Sequence, residues 1–137
     1  MKKVLVPITL HTTAEQMRHA VAEAIGMYLN EESVQIHLLS VQRPFSRHVS
    51  DLFAPGCLGA IRAEAAKEEL APARAAFRAA GVPHLTHVET GWTTATIARF
   101  AREIRADRII IRQAAPKGYA GTVFVALAGQ LRHFRGR

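Results

Sequence analysis

Val4-Leu5-Val6-Pro7-Ile8 is a short, continuous apolar run rich in β-branched residues. A run of this kind marks a strand buried on both faces, as in a parallel sheet covered by helices. Moving outward, Thr12 and Thr13 can cap a helix, with Glu15 or Gln16 placed to complete a capping box. Ala14, Met17, Val21, Ala24, Ile25 and Tyr28 recur at helical spacing and predict one buried face. Val34 to Val41 reads as a second buried strand, and Gln42 to about Gly59 as a long loop holding Pro44, Pro55 and Gly56. Ala60 to Ala80 is dense in strong helix formers. Pro72 either kinks that helix or starts a second segment. Gly81, Val82 and Pro83 supply a Schellman-type stop. Leu85 to Thr90 is a third strand, Gly91-Trp92 a turn, and Thr93 or Thr94 the cap of a further helix. Ile97, Ala98, Ala101 and Ile104 form that helix's apolar stripe, and Arg108 to Arg112 is the fourth strand. After Gly118 the spacing of Val123, Leu127, Leu131 and Phe134 favours a helix, although Thr122 to Leu127 has strand-like composition.

The resulting β-α-β-α-β-α-β order implies one α/β domain over residues 1–137, with parallel strands and helices on both faces of an open sheet. Ligands in such folds bind beyond the carboxyl ends of the strands. Here that means Thr9 to Thr12, Val41 to Arg43, Gly91 and Arg112 to Gly118. Charge adds a second constraint: the formal net charge is +7. The basic residues are mostly dispersed over helices, and only Arg132 to Arg137 is dense, so a solvated basic surface is the first expectation. A nucleic-acid footprint on that tail is the lesser one, because no nucleic-acid motif accompanies the charge.

Lys2 and Lys3 precede an apolar run that is too short for a signal peptide and is interrupted by Pro7. Tyr119 to Gly129 is too short to span a bilayer as a helix, so no membrane partner is expected. The single cysteine, Cys57, cannot form an internal disulfide, which fits a reducing cytoplasm. It can instead pair between molecules or sense oxidant.

Seven histidines raise the question of a metal. His84 and His87 fall on opposite strand faces and lack neighbouring ligands at zinc spacing, so no metal is expected. His11 lies just past the first strand, at the crevice mouth, where it is either a ligand contact or a solvated loop histidine. Arg112 with Lys117 can hold an anion by charge, or form an exposed basic loop. Trp92 can line the crevice, make a dimer contact or pack as a buried aromatic. No G-x-S-x-G motif is present, and no base stands near Cys57 in sequence, so nucleophilic catalysis has no support.

Lys3-Val4-Leu5-Val6-Pro7-Ile8, Ile36-His37-Leu38-Leu39-Ser40-Val41 and Asp107-Arg108-Ile109-Ile110-Ile111 resemble strands of the universal stress protein family. Leu70 to Arg74, Ala80 to Pro83, and Gly91 with Thr96 to Ala101 are similar to its intervening segments. The resemblance covers nearly the whole chain. It implies a Rossmann-like parallel sheet of order 3-2-1-4, usually extended by a fifth strand and assembled as a homodimer.

Many members bind ATP through Gly, two residues, Gly, nine residues, Gly, then Ser or Thr. Glycine there lets the backbone approach phosphates. In the register of Asp107 to Ile111 these positions hold Arg112, Ala115, Val125 and Ala126. The family's Asp after the first strand, associated with the adenosine part, corresponds to Thr9. Gly118-x-x-Gly121 does not restore the motif, since its continuation lands on Leu131 and Arg132. No apolar run suits a fifth strand, so Tyr119 to Leu131 is expected to cover the fourth strand's edge, in its own subunit or a partner's.

The expectation is therefore a non-enzymatic, homodimeric regulatory or interaction module of the stress response, acting on an unidentified protein partner. It would need no cofactor, with ATP or AMP as the lesser expectation. The alternative is a binder of a nucleotide or other small anion. Its crevice would comprise Thr9, His11, Val41, Gly91, Arg112, Lys117 and Gly118.

Overall fold

The computed structural model describes residues 1–31 and 33–111. The elements are β1 (Lys2–Ile8), α1 (Ala14–Asn30), β2 (Val34–Gln42), α2 (Arg47–Ser50), α3 (Cys57–Ala79), β3 (His84–Thr90), α4 (Thr93–Ile104) and β4 (Arg108–Ile109). The four strands form one sheet in the order β3-β2-β1-β4, as the resemblance implied. All three pairings are parallel. β1 and β2 alternate their side chains between two apolar clusters. Val4, Val6, Ile36 and Leu38 pack with Met17, Leu70 and Phe77 under α1 and α3. Leu5, Leu39 and Val41 pack with Ile97, Phe100 and Ala101 under α4. Helices thus cover both faces, and the two central strands are mostly apolar because both of their faces are buried.

Local chemistry sets the helix boundaries. Thr13 caps α1 and forms a reciprocal box with Gln16, so the second threonine and the glutamine are the partners. Met17, Ala20, Val21, Ala24 and Met27 are buried, Ile25 and Tyr28 half-buried, and Ala14 exposed. The predicted long loop after β2 is shorter than expected. It contains α2, capped by Ser46, and α3 starts at Cys57. Cys57 is therefore the exposed first residue of a helix and not a loop residue. α3 runs unbroken through Pro72, which lies on its exposed side, where the carbonyl left unbonded can be hydrated.

The end of α3 is a full Schellman motif. Val82 N–H donates to Phe77 C=O at 2.9 Å, and Gly81 N–H to Arg78 C=O at 3.0 Å. Gly81 has φ +70°, which glycine adopts without strain. α4 ends the same way, with Ala106 N–H on Ala101 C=O at 2.8 Å and Arg105 N–H on Arg102 C=O at 3.1 Å. Here the left-handed residue is Arg105, φ 57°. Because a side chain in that region costs about 1 kcal/mol, Arg105→Gly is expected to stabilise the fold by up to that amount. An unchanged or lowered denaturant midpoint would refute this account of the turn.

The expected threonine cap of α4 is absent. The N-cap is Trp92, whose side chain makes no capping bond, and Thr93 already lies inside the helix. β4 is also shorter than the predicted Arg108 to Arg112. Asp107 N–H donates to Lys3 C=O at 2.8 Å, the Asp107 carboxylate accepts the Lys3 N–H at 2.8 Å, and Leu5 C=O accepts from Ile110 N–H at 2.9 Å. Alternate residues of β1 therefore face β4, and the next of them is Pro7, which has no N–H to continue the ladder. The expectations of no fifth strand, and of Tyr119 to Leu131 covering the edge of β4, fall on residues outside those described.

Candidate functional site

The carboxyl ends of β1, β2 and β3 converge on one rim. After β1 the chain closes a compact turn. Thr9 N–H donates to Thr12 Oγ1 at 3.0 Å, the two hydroxyls lie 3.3 Å apart, and Thr9 Oγ1 accepts from His11 N–H at 3.1 Å. The Thr9 hydroxyl is thus engaged by its own loop. His11 is exposed, and its Nε2 lies 3.1 Å from Arg43 Nη2, just past β2. A guanidinium only donates, so Nε2 is the acceptor. The same guanidinium stands 5.5 Å from the centroid of the Trp92 ring, at the end of β3. Trp92 is 66% exposed, which removes the buried-aromatic reading.

Gly91 donates its N–H to Gln42 C=O at 3.0 Å and so holds Trp92 beside Arg43. A Cβ on Gly91 would collide with the buried Thr96 Oγ1, so glycine is required there for packing. Val41 has its side chain buried in the α4-side cluster. Of the residues singled out by sequence, the fold brings Thr9, His11 and Gly91 to this rim. Arg112, Lys117 and Gly118 lie outside the described residues. Further along, Arg62 on α3 stacks over Phe45 at 4.7 Å.

A second polar cluster lies beneath α4. His37 Nδ1 is 2.9 Å from His87 Nε2, and His37 Nε2 is 2.8 Å from Gln35 Oε1. The rings are stacked at 5.1 Å, and His87 also lies against Phe100 at 4.8 Å. With Gln35 Oε1 accepting, His37 carries its proton on Nε2 and accepts from His87 Nε2–H. Burial, then the neighbouring His87 and Lys3, lowers the His37 pKa from 6.5 to about 4. Burial also lowers that of His87, against the opposing pull of Glu89.

Sequence reading placed His84 and His87 on opposite faces, and they are: His84 packs on Phe77 instead. It did not single out His37, although a histidine inside Ile36-His37-Leu38 needs a buried partner. On the opposite face, Ser40 Oγ donates to Glu69 at 2.7 Å and accepts from Gln42 at 2.9 Å. Burial raises the Glu69 pKa, partly offset by the Ser40 hydrogen bond. Among the described residues, no three His, Cys, Asp or Glu side chains are grouped to hold a metal, and no helix is long and apolar enough to cross a membrane.

A parallel α/β sheet of order 3-2-1-4, with polar loops gathered at the strands' carboxyl ends, defines the doubly wound class whose ligands bind at that end. Within that class, the model described as "Universal stress protein family" matches residues 1–126, and the chain belongs to this family. A universal stress protein from Burkholderia pseudomallei is similar in fold, with TM-score 0.65 and 18% identity, covering 93% of this chain and 89% of its own. One from Arabidopsis thaliana with AMP bound has TM-score 0.65 and 16% identity, covering 95% and 86%. A universal stress protein in complex with cAMP has TM-score 0.61 and 12% identity, covering 95% and 91%. No curated protein matches the chain.

Proposed function

We propose that this protein is a non-enzymatic regulatory or interaction module of the stress response, a cytoplasmic homodimer that does not bind ATP in its family's usual way. The observation that carries the reading is the turn after β1. Where the family has an aspartate, Thr9 is locked to Thr12 and His11 by its own hydroxyl and N–H. No carboxylate is offered to a ribose or base at that position. The aligned phosphate-loop positions, Arg112, Ala115, Val125 and Ala126, carry side chains in place of glycine and no hydroxyl. Native mass spectrometry of freshly purified protein, followed by denaturation, tests both parts. The expected result is an empty dimer. ATP or AMP released in stoichiometric amount would overturn the ligand reading, and a monomer would overturn the assembly.

The contact of Arg43 with both His11 and Trp92 favours a second reading, in which the crevice holds a nucleotide or other small anion by charge. It gains support from the AMP and cAMP found on similar folds. Thermal unfolding across AMP, cAMP, ATP, phosphate and sulfate distinguishes the two. An upward shift lost in Arg43→Gln is expected on this reading, and no shift with any of them would remove it.

A further inference from the structure

Two arginines near the carboxyl end of the sheet are held by aromatic rings and not by carboxylates. Arg99 is paired with Glu89 at 2.8 Å and Arg108 with Glu23 at 2.9 Å. Among the described residues, Arg43, Arg47 and Arg62 have no carboxylate partner. Arg43 lies on Trp92 and Arg62 on Phe45, so aromatic faces hold two of the three guanidinium groups in place. Arg47, between them in sequence, opens α2 and is exposed. Arg43 and Phe45, the ring beneath Arg62, flank a single residue, Pro44, so the two held guanidinium groups stand on one short stretch of chain.

We propose that this rim is an interaction surface for single-stranded nucleic acid. Guanidinium groups with no carboxylate to compete for them suit backbone phosphates, and the molecule's net charge of +7 assists their approach. The exposed Trp92 indole, with Arg43 against it, is a platform on which one base can stack. Stacking is what selects single strands, because a duplex keeps its bases paired and stacked inside. An anionic membrane would use the arginines but offers no ring to the indole, and an acidic peptide offers one only where it happens to carry an aromatic side chain, whereas every nucleotide of a strand brings a base. The surface is distinct from the basic tail at 132–137 and does not depend on a mononucleotide filling the crevice.

Trp92 is the chain's only tryptophan and therefore reports on its own contact. The test is the full chain titrated with a fluorescein-labelled oligothymidine of fifteen or so nucleotides and, separately, with a hairpin duplex, following anisotropy and tryptophan emission. Expected results are salt-dependent binding of the single strand, quenching of Trp92, and preference over the duplex. Trp92→Ala is expected to weaken binding about tenfold, and Trp92→Phe to restore part of it. Arg43→Gln with Arg62→Gln is expected to lower the salt slope by about 0.7 for each arginine removed.

Absence of binding would overturn the proposal, as would equal affinity for the duplex or binding indifferent to these substitutions. So would binding lost on deletion of 132–137 with no change in Trp92 emission, since the tail would then be the site. Quenching by AMP without oligonucleotide binding would overturn it and leave the small-anion reading standing. Phosphatidylglycerol vesicles outcompeting the oligonucleotide would overturn it in favour of a membrane surface.

Discussion

Lowering the pH from 7 to 4.5 is expected to reduce the unfolding free energy by about 2–3 kcal/mol through His37 alone. The imidazole is buried, stacked on His87 and hydrogen-bonded at both nitrogens. Its pKa falls from 6.5 to about 4 on folding, first because of burial. The unfolded chain therefore takes up the proton more readily than the folded one. The stabilising contribution is complete above pH 6.5 and is lost as the pH falls from there towards 4. His87 acts in the same direction.

The groups that face the pair do not reverse this. Lys3 on β1 opposes a charge on His37, while Glu89, the carboxylate that opposes the shift at His87, is itself held by Arg99 of α4. A proton on His37 Nδ1 would point at the His87 N–H, so one ring must change tautomer or the pair must separate. Glu69 works the other way: its pKa is raised by burial, so protonation at low pH relieves a cost and offsets part of the loss. Urea unfolding at several pH values, with His37→Gln alongside, is the measurement. The variant's stability should fall less steeply between pH 6.5 and 4.5. Identical slopes in the two proteins would refute the assignment.

Phe77→Ala is expected to destabilise the fold by about 3–5 kcal/mol, the largest loss from any single truncation considered. Phe77 is fully buried beneath α3, in the cluster that joins β1, β2 and α1. It also occupies the position of the Schellman motif whose carbonyl accepts from Val82, and both side chains are in the same core. Removing the ring leaves a cavity, strips packing from His84 and loosens the turn into β3. Phe77→Leu should cost much less, since it keeps most of the volume. Denaturant midpoints for the two variants test this. A cost below about 1 kcal/mol for the alanine would show that the site collapses freely.

Strand and helix identity were legible wherever one local device decided them. The apolar runs at Val4 to Ile8 and Val34 to Val41 need burial on both faces, and only a covered parallel sheet provides it. Thr13 with Gln16, and Gly81 with Val82, are short-range motifs whose partners lie within a few residues. The start of α4 was misread because Thr93 and Thr94 have the chemistry of a cap, yet Gly91 must sit against Thr96, which places the helix start at Trp92. β4 was overextended because its apolar run continues, whereas its length depends on the hydrogen-bonding partner. That partner presents Pro7.

From sequence alone came the alternation of strands and helices, the parallel order, the family resemblance and the end of the sheet where polar loops gather. These depend on periodicity, capping chemistry and motif spacing, all properties of neighbouring residues. Only the tertiary structure decided that His37 meets His87, that Arg43 joins His11 to Trp92, and that Thr9 is held by its own turn. The first two pairings link residues that are distant in the chain. They exist because the pairing of β1, β2 and β3 sets His87 two residues past the partner of His37 on the same face, and brings the strands' carboxyl ends together. Thr9 is a local case that sequence nevertheless left open, because several nearby donors compete for one hydroxyl and only the folded turn selects among them.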